Sequence, residues 1–363
     1  MSIDFKNPKL VIETSKIGPG SISWRSPSNL AIIKYWGKHG QQLPRNPSIS
    51  FTLDKAYTET TLAYEPKTGV DQGIALEFLF DGQPNSAFEE KVRKFLESIT
   101  DIFPFLRQLK LSIRSTNSFP HSSGIASSAS GMSALALCLC SLEDELFNGL
   151  EDDAVFRQKA SFVARLGSGS ACRSIYAGLA EWGELGEIAG SSDLYAIPFD
   201  QEVHPSFLSY QDAILLVSKG QKPVSSRSGH ALMDDNPYAD SRYRQARQRL
   251  HNLLMAMRTG DLETFGKILE AEALTLHALM MASNSPYLLI KPNTLILIGK
   301  VQAFRNDTGH PLYFSLDAGP NLHLLYPEGI KAEVENFINA ELVQYCENGQ
   351  WIGDEVGKGP LQL

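Results

Sequence analysis

Phe119–Gly131 reads FPHSSGIASSASG, and nearly every side chain in it is small or hydroxylic. The alternating Leu109–Ser115 leads into it as a strand, and the almost wholly apolar Met132–Leu139 leaves it as a buried helix. This order of strand, small-residue loop and helix start constrains the fold more than any other feature. A helix start presents unpaired N–H groups and about half a positive charge, so it attracts anions. Gly124 allows close backbone approach, and the hydroxyls of Ser122, Ser123, Ser127 and Ser128 add donors. Those are the needs of a phosphate site. Read alone, the stretch is equally a serine-capped buried helix.

The chain has 363 residues, enough for two domains or one large one. Its 43% hydrophobic and 20% charged content is that of a globular protein with a real core. A net charge of −8 without a basic block argues against nucleic acid as a partner. The N-terminal MSIDFKNPKL has no apolar h-region, so no signal peptide is expected. Runs such as Ile214–Val217 and Leu295–Ile298 are strand-sized, too short for a membrane span. Cys138, Cys140, Cys172 and Cys346 form no CxxC pair and read as packed thiols; the eight histidines contain no HExxH. The expectation is a soluble cytoplasmic protein without a structural metal.

Along the chain, Ile22–Arg25 and Leu30–Ile33 read as strands interrupted by Pro27 and Ser28. Ser48–Asp54 and Thr58–Tyr64 alternate about Lys55–Tyr57, a hairpin signal. Ala75–Phe80 is a strand and Ala87–Ile99 an amphipathic helix. Asp153–Leu166 is helical and ends at a second glycine–serine cluster, Gly167–Arg173. The acids and prolines of Pro198–Pro205 mark a domain boundary, giving an N-terminal unit over 20–205 and a C-terminal one over 206–350. Beyond it, Ala213–Val217, Leu312–Leu316 and Leu322–Tyr326 read as strands. Ala239–Met257, Leu262–Leu279, Thr294–Phe304 and a stretch from Ile330 to Leu342 read as helices. Strands and helices mix without βαβ alternation, which favours α+β over a doubly wound sheet.

No GxxxxGK[ST] occurs, and no GxGxxG follows a strand, so neither a P-loop nor a dinucleotide fold has support. Two hydroxylic clusters (Ser122–Ser130 and Ser168–Ser170) and the cations Lys34, Lys38 and Arg173 suggest a pocket for several phosphates. Asp317 sits in a tight DAGPN turn where a carboxylate can be held rigidly, although an Asx-type turn residue is the simpler reading of it alone. Arg173 alone reads as a surface ion-pair partner, and Tyr35 and Trp36 as core packing.

The loop Pro120-x3-Gly124-Ile125-x-Ser127-Ser128-Ala129 resembles the phosphate-binding motif of the GHMP kinase superfamily. Asn29–Lys38 (NLAIIKYWGK), Gly167–Ser174 (GSGSACRS) and Asp317–Asn321 (DAGPN) make the chain similar, within that superfamily, to the diphosphomevalonate decarboxylase family. These stretches occur in the family's order, and the resemblance runs from about Ile22 to the final helix. KYWGK together with GSGSACRS is its specific part.

The resemblance implies a ribosomal-S5-like N-terminal domain that binds ATP, a ferredoxin-like C-terminal domain, an active site between them and a homodimer. The implied cofactors are ATP and Mg²⁺, and the implied substrate is a phosphorylated mevalonate. Its tertiary 3-hydroxyl is phosphorylated, and loss of that phosphate with CO₂ gives isopentenyl diphosphate. By the same match Asp317 contacts the 3-hydroxyl, orienting it or taking its proton. Arg173 holds the substrate carboxylate and keeps Asp317 ionised, and Asn29 positions the two. Ser122, Ser123, Gly124, Ser127 and Ser128 take the nucleotide phosphates, with Ser170 beside the transferred group. Lys34, Tyr35, Trp36, Gly37, Lys38, Ser168, Gly169, Ser226 and Arg227 form the substrate-binding set, of which Tyr35, Lys38, Ser226 and Arg227 hold the phosphate tail.

The chain departs from the family's pattern in places. His39-Gly40 follows KYWGK where Arg-Asp is usual, His230 ends SSRSGH where Met is usual, and Asp235-Asn236 replace Thr-Ser before Pro237. The last two lie around the expected tail site, so a monophosphomevalonate decarboxylase, a GHMP kinase that does not eliminate, and a non-catalytic binding protein remain alternatives.

Overall fold

The computed structural model describes residues 5–68, 73–120, 125–150, 152–199, 202–220 and 226–363. β1 (Gly20–Ala31) is followed by a two-strand ribbon, β2 (Lys38–His39) with β3 (Leu43–Pro44), and then by the long β4 (Ser48–Pro66). β5 (Ala75–Phe80), β6 (Gln83–Pro84) and β7 (Leu109–Asn117) extend a mixed sheet through β4. β8 (Leu179–Trp182) pairs with the first part of β4 and carries β9 (Ala196–Pro198). Helices α1 (Ser86–Ser98), α2 (Ser127–Phe147) and α3 (Asp153–Gly167) accompany this sheet. Leu135, Leu137 and Leu139 of α2 pack with Leu62, Leu111 and Ile113 of the sheet and Val163 of α3. A helix this apolar on all sides is stable only when surrounded.

A second, antiparallel sheet has the order β11-β12-β10-β13, from β10 (Gln211–Leu215), β11 (Tyr313–Leu316), β12 (Leu322–Tyr326) and β13 (Trp351–Glu355). After the short α4 (Ser226–Ala231) come α5 (Ala239–Thr259), α6 (Leu262–Met281), α7 (Pro292–Thr308) and α8 (Lys331–Phe337). Phe314 and Leu324 turn one face of this sheet onto Leu297 and Val301 of α7 and Phe337 of α8. Tyr313 and Leu325, on the other face, join Leu250 and Leu253 of α5, Phe265 of α6, and Leu30, Ile33 and Phe51 of the first sheet's region. The seam between the two sheets is therefore a continuous core.

Two expectations are corrected, and one strand pairing lies beyond any expectation. The segment about Lys55–Tyr57 is not a hairpin: β4 runs through it as one strand, with a register shift against β1 between Pro27 and Asn29. Its cause lies in the second sheet. Asp354 of β13 accepts the N–H groups of Asp54 and Lys55 on Oδ1 and of Ala56 on Oδ2, each at 2.8 Å, so the chain bulges there instead of reversing. The two strands read at Ile22–Arg25 and Leu30–Ile33 are one, because the same bulge absorbs Pro27. Finally, the chain after Asp354 returns to the first sheet: β14 (Leu361–Gln362) pairs with Trp24 and Arg25 of β1.

Candidate active site

Asp317 follows the last residue of β11, in the turn to β12. Its carbonyl accepts Gly319 N–H at 2.7 Å and lies 3.1 Å from His277 Nε2 of α6, which fixes the turn. Lys34 Nζ donates to Asp317 Oδ1 and to Ser315 Oγ, both at 2.9 Å. The lysine side chain is 2% exposed and the aspartate 21%, so the pair faces an opening with its cation inward. The backbone of Lys34 is held as firmly: its N–H donates to Glu272 Oε2 at 2.9 Å, and its carbonyl accepts Arg242 at 3.1 Å and Asn46 at 3.3 Å. Burial pushes Glu272 upward, but the hydrogen bonds and charges of Arg242 and Arg249 hold it below the ordinary carboxylate value. A buried carboxylate with two guanidinium partners can be fully satisfied.

Arg173 lies in the 3-10 turn Gly169–Ile175, which is wedged between β1, α2 and α3 and leaves it buried. Its Nε donates to Ser50 Oγ, one terminal nitrogen to Ser48 Oγ at 2.6 Å, and the other to Asn29 Oδ1 at 3.3 Å. Asn29 Nδ2 donates in turn to Ser174 Oγ at 2.8 Å and Ser170 carbonyl at 3.1 Å. Among the described residues, three of the five guanidinium N–H donors are thus engaged. Burial lowers the Arg173 value, and the nearby Cys172, Asp317 and Tyr35 oppose that. Arg173 bonds Asn29 and feels the charge of Asp317, while the direct ion-pair partner of Asp317 is Lys34, expected in the substrate set.

At the start of α2, Ala126 takes a left-handed φ of 48°, turning the chain so that Ser127 and Ser128 open the helix. Ser128 Oγ lies 3.4 Å from Ser168 Oγ, so the two small-residue clusters meet. Ser130 and Ser133 instead bond Thr58 and Ser26, each at 2.6 Å, and anchor α2 to the sheet. Ser122, Ser123 and Gly124 lie outside the described residues, as do the side chains of Ser226 and Arg227.

Tyr35 packs edge-on to Trp182 at 4.7 Å and beside His230 at 4.4 Å. A Cβ on Gly169 would come 2.7 Å from the Tyr35 oxygen, so glycine is required for this approach. Trp36 is buried among Met233, Leu276, Leu279 and Met280, a packing role. Gly37, at φ +94°, donates its N–H to His230 Nδ1 at 3.0 Å, and Lys38 Nζ bonds Gln42 at 2.9 Å. Burial, and then the charge of Lys38, lower His230 to about 3, which keeps the ring neutral. Asp235 is exposed, while Asn236 is buried with its amide on the Leu279 carbonyl at 3.1 Å. Ser48, Ser50, Ser315, Glu272 and Arg242 carried no motif; alternation in β4 puts Ser48 and Ser50 on one face, while Ser315 comes from the second sheet. Among the described residues no three His, Cys, Asp or Glu side chains gather as a metal site, and no helix is long and apolar enough to cross a membrane.

An α+β chain with a serine-rich helix start whose N-cap is Ala126, with a partly buried Asp–Lys–Arg cluster at the seam of two sheets, and with solved structures of the GHMP kinase fold as its neighbours, is built as a small-molecule enzyme. The family model described as the diphosphomevalonate decarboxylase-like N-terminal domain matches residues 26–194, and that of the mevalonate 5-diphosphate decarboxylase C-terminal domain matches 213–356. The diphosphomevalonate decarboxylase of Schizosaccharomyces pombe is 30% identical over 93% of this chain and 86% of its own length. The mevalonate diphosphate decarboxylase crystal structure from Staphylococcus aureus is 28% identical, with a TM-score of 0.79 over 97% of this chain and 100% of that one. A solved structure described as MDDEF in complex with MVAPP, AMPPCP and magnesium is 29% identical, with a TM-score of 0.77 over 95% and 99%. The chain belongs to the diphosphomevalonate decarboxylase family.

Proposed function

We infer that the protein carries out the ATP-dependent decarboxylation of 5-diphosphomevalonate to isopentenyl diphosphate. The observation that carries this reading is the Lys34–Asp317 pair beside Arg173 in a chain of this family. A tertiary alcohol leaves poorly and its phosphate ester leaves well. ATP phosphorylates the 3-hydroxyl, giving ADP. The C3–O bond then breaks with its electron pair leaving on phosphate, and the bond from C3's neighbour to the carboxylate breaks to release CO₂ and form the alkene. Asp317 orients the 3-hydroxyl or takes its proton. Lys34 holds Asp317 as an anion, and Arg173, fixed by Ser48, Ser50 and Asn29, offers N–H donors to the substrate carboxylate. Ser127 and Ser128 with the α2 start receive the nucleotide phosphates, Ser168 of the substrate set stands next to Ser128, and Ser170 lies beside the transferred group.

The donors at that end are hydroxyls rather than clustered carboxylates, which fits Mg²⁺ held mainly by the nucleotide's phosphates and water. When bound, the ion neutralises phosphate charge. Tyr35, Lys38, Ser226 and Arg227 serve the tail, with Gly37, Gly169 and the packed Trp36 shaping its walls. The exposed position of Asp235 supports a diphosphate over a monophosphate, because solvent screens an exposed acid. We divide the chain near 205 into a nucleotide-binding and a C-terminal domain and read it, with its family, as a cytoplasmic homodimer. The test is ADP and CO₂ release measured together on mevalonate and its 3-phosphate, 5-phosphate and 5-diphosphate. Equal yields of both products, highest kcat/KM on the 5-diphosphate, are expected; ADP without CO₂ points to a kinase, and a preference for the 5-phosphate reassigns the tail.

A further inference from the structure

The second sheet presents an unusual polar stripe to the seam. Ser315 of β11 is directly paired with His323 of β12, and His323 with Ile214 of β10, two residues from Asp212. Facing residues on neighbouring strands, and residues two apart on one strand, share a face. Ser315, His323 and Asp212 therefore lie on one surface, and Asp354, paired with Asp212, continues it. His323 Nδ1 lies 2.7 Å from Asp212 Oδ2, and both side chains are buried. The same Ser315 hydroxyl accepts Lys34 Nζ. The buried pair thus stands directly behind the chain Asp317–Lys34–Ser315.

Stability does not explain this pair. Replacing a buried ion pair by apolar side chains of similar volume is often neutral or stabilising. Among the described residues, neither Asp212 Oδ1 nor the buried Tyr210 hydroxyl has a hydrogen-bond partner. Both residues line one cavity of about 10 Å³, the space of a single water.

We propose that His323 and Asp212 are positioning residues for the reaction, a buried hydrogen-bonded pair that backs Ser315, Lys34 and Asp317 and holds Asp317 in its anionic, aligned form. Burial pushes the imidazole down, but the charge and hydrogen bond of Asp212 outweigh it, and Asp317 raises it further. Coupling of this kind is mutual: a cation at His323 favours the anion at Asp317 as much as the anion favours the cation. Among the described residues, the other titratable groups around the pair are Lys34, whose charge opposes a proton on His323, Asp354 and Tyr326 near Asp212, Tyr210 and Glu355 lining the cavity, and His277 on the Asp317 carbonyl.

The test is steady-state kinetics of the full chain with ATP, Mg²⁺ and 5-diphosphomevalonate from about pH 5.5 to 9, on His323→Gln and His323→Lys, with thermal stability followed in parallel. His323→Gln is expected to lower kcat on the order of tenfold, equal to about 1.4 kcal/mol, to leave both KM values within about threefold, and to move the acid limb of kcat to higher pH. His323→Lys keeps a cation and is expected to restore most of kcat and the acid limb. An unchanged kcat and limb in His323→Gln, or a His323→Lys no better than it, overturns the proposal. If His323→Gln does not fold, Asp212→Asn keeps the hydrogen bond and removes the charge that sustains the imidazolium; it must show the same displaced limb or the proposal fails. The inference rests on Asp317 as the reacting carboxylate. An Asp317→Asn enzyme that turns over refutes that assignment, whereas an inert Asp317→Asn beside an indifferent His323→Gln refutes this proposal alone.

Discussion

Asp317→Asn is nearly isosteric, so it leaves the turn and its Gly319 bond in place and removes one charge. Turnover is expected to fall by about 10²–10⁴, the usual worth of an acid–base group. Lys34 stays buried beside Ser315 without its counter-ion, so a modest loss of stability accompanies the loss of rate. A variant retaining more than about a tenth of the wild-type rate, a barrier change of only ~1.4 kcal/mol, moves the reacting carboxylate elsewhere. Arg173→Lys keeps a charge and loses the planar fork. An ammonium cannot reach Ser48, Ser50 and Asn29 together and still address a substrate carboxylate. The expected result is a large fall in turnover with nucleotide affinity nearly unchanged; isothermal titration with an ATP analogue showing the reverse pattern displaces Arg173 from the carboxylate.

The elements explain why some of this was legible in the sequence and some was not. Asp317, Arg173, Asn29 and the serine helix start stand in short stretches whose match to a family supplied their expected roles; read alone, Arg173 suggested a surface ion pair, whereas it is buried. Their partners lie far along the chain: Lys34 meets Asp317 across 283 residues and Glu272 across 238, and Arg173 meets Ser50 across 123. Such pairings are settled by sheet order, which no local pattern encodes. The same holds for the β4 bulge, read as a hairpin because the three N–H groups that fix it are satisfied by a carboxylate 298 to 300 residues away. GSGSACR shows the opposite case, where one letter is dictated by an element contact. Gly169→Ala places a methyl 2.7 Å from the Tyr35 oxygen, and Trp182 and His230 close the ring's retreat. Overpacking of this kind costs about 1–3 kcal/mol. The expected readout is a Tm lowered by several degrees together with a raised KM for the phosphorylated substrate; an unchanged KM separates Tyr35 from the tail.

On the scale of the molecule, the seam between the sheets holds two buried groups that titrate in opposite senses. His230, lowered to about 3 by burial, refuses a proton that the unfolded imidazole takes below about 6.5. Its contribution to stability is complete above that pH and is lost as pH falls. Asp354 is raised to about 6 by burial, although the N–H groups of Lys55 and Glu355 pull it down, and its folded carboxyl keeps a proton that the unfolded one releases near pH 3.9. Its contribution is complete below about 4 and is lost as pH rises through about 6. Between these limits the slopes oppose one another, each at most about 1.4 kcal/mol per pH unit. His230→Met is therefore expected to gain on the wild type as pH falls from 7 to 5. Asp354→Asn is expected to fall further behind over the same range, on top of about 1–3 kcal/mol for an N–H acceptor lost at every pH. Urea unfolding of the three proteins at several pH values between 4 and 7 reads both differences directly. Curves that run parallel would mean that water reaches these groups in the folded protein, and that the seam is wetter than its packing indicates.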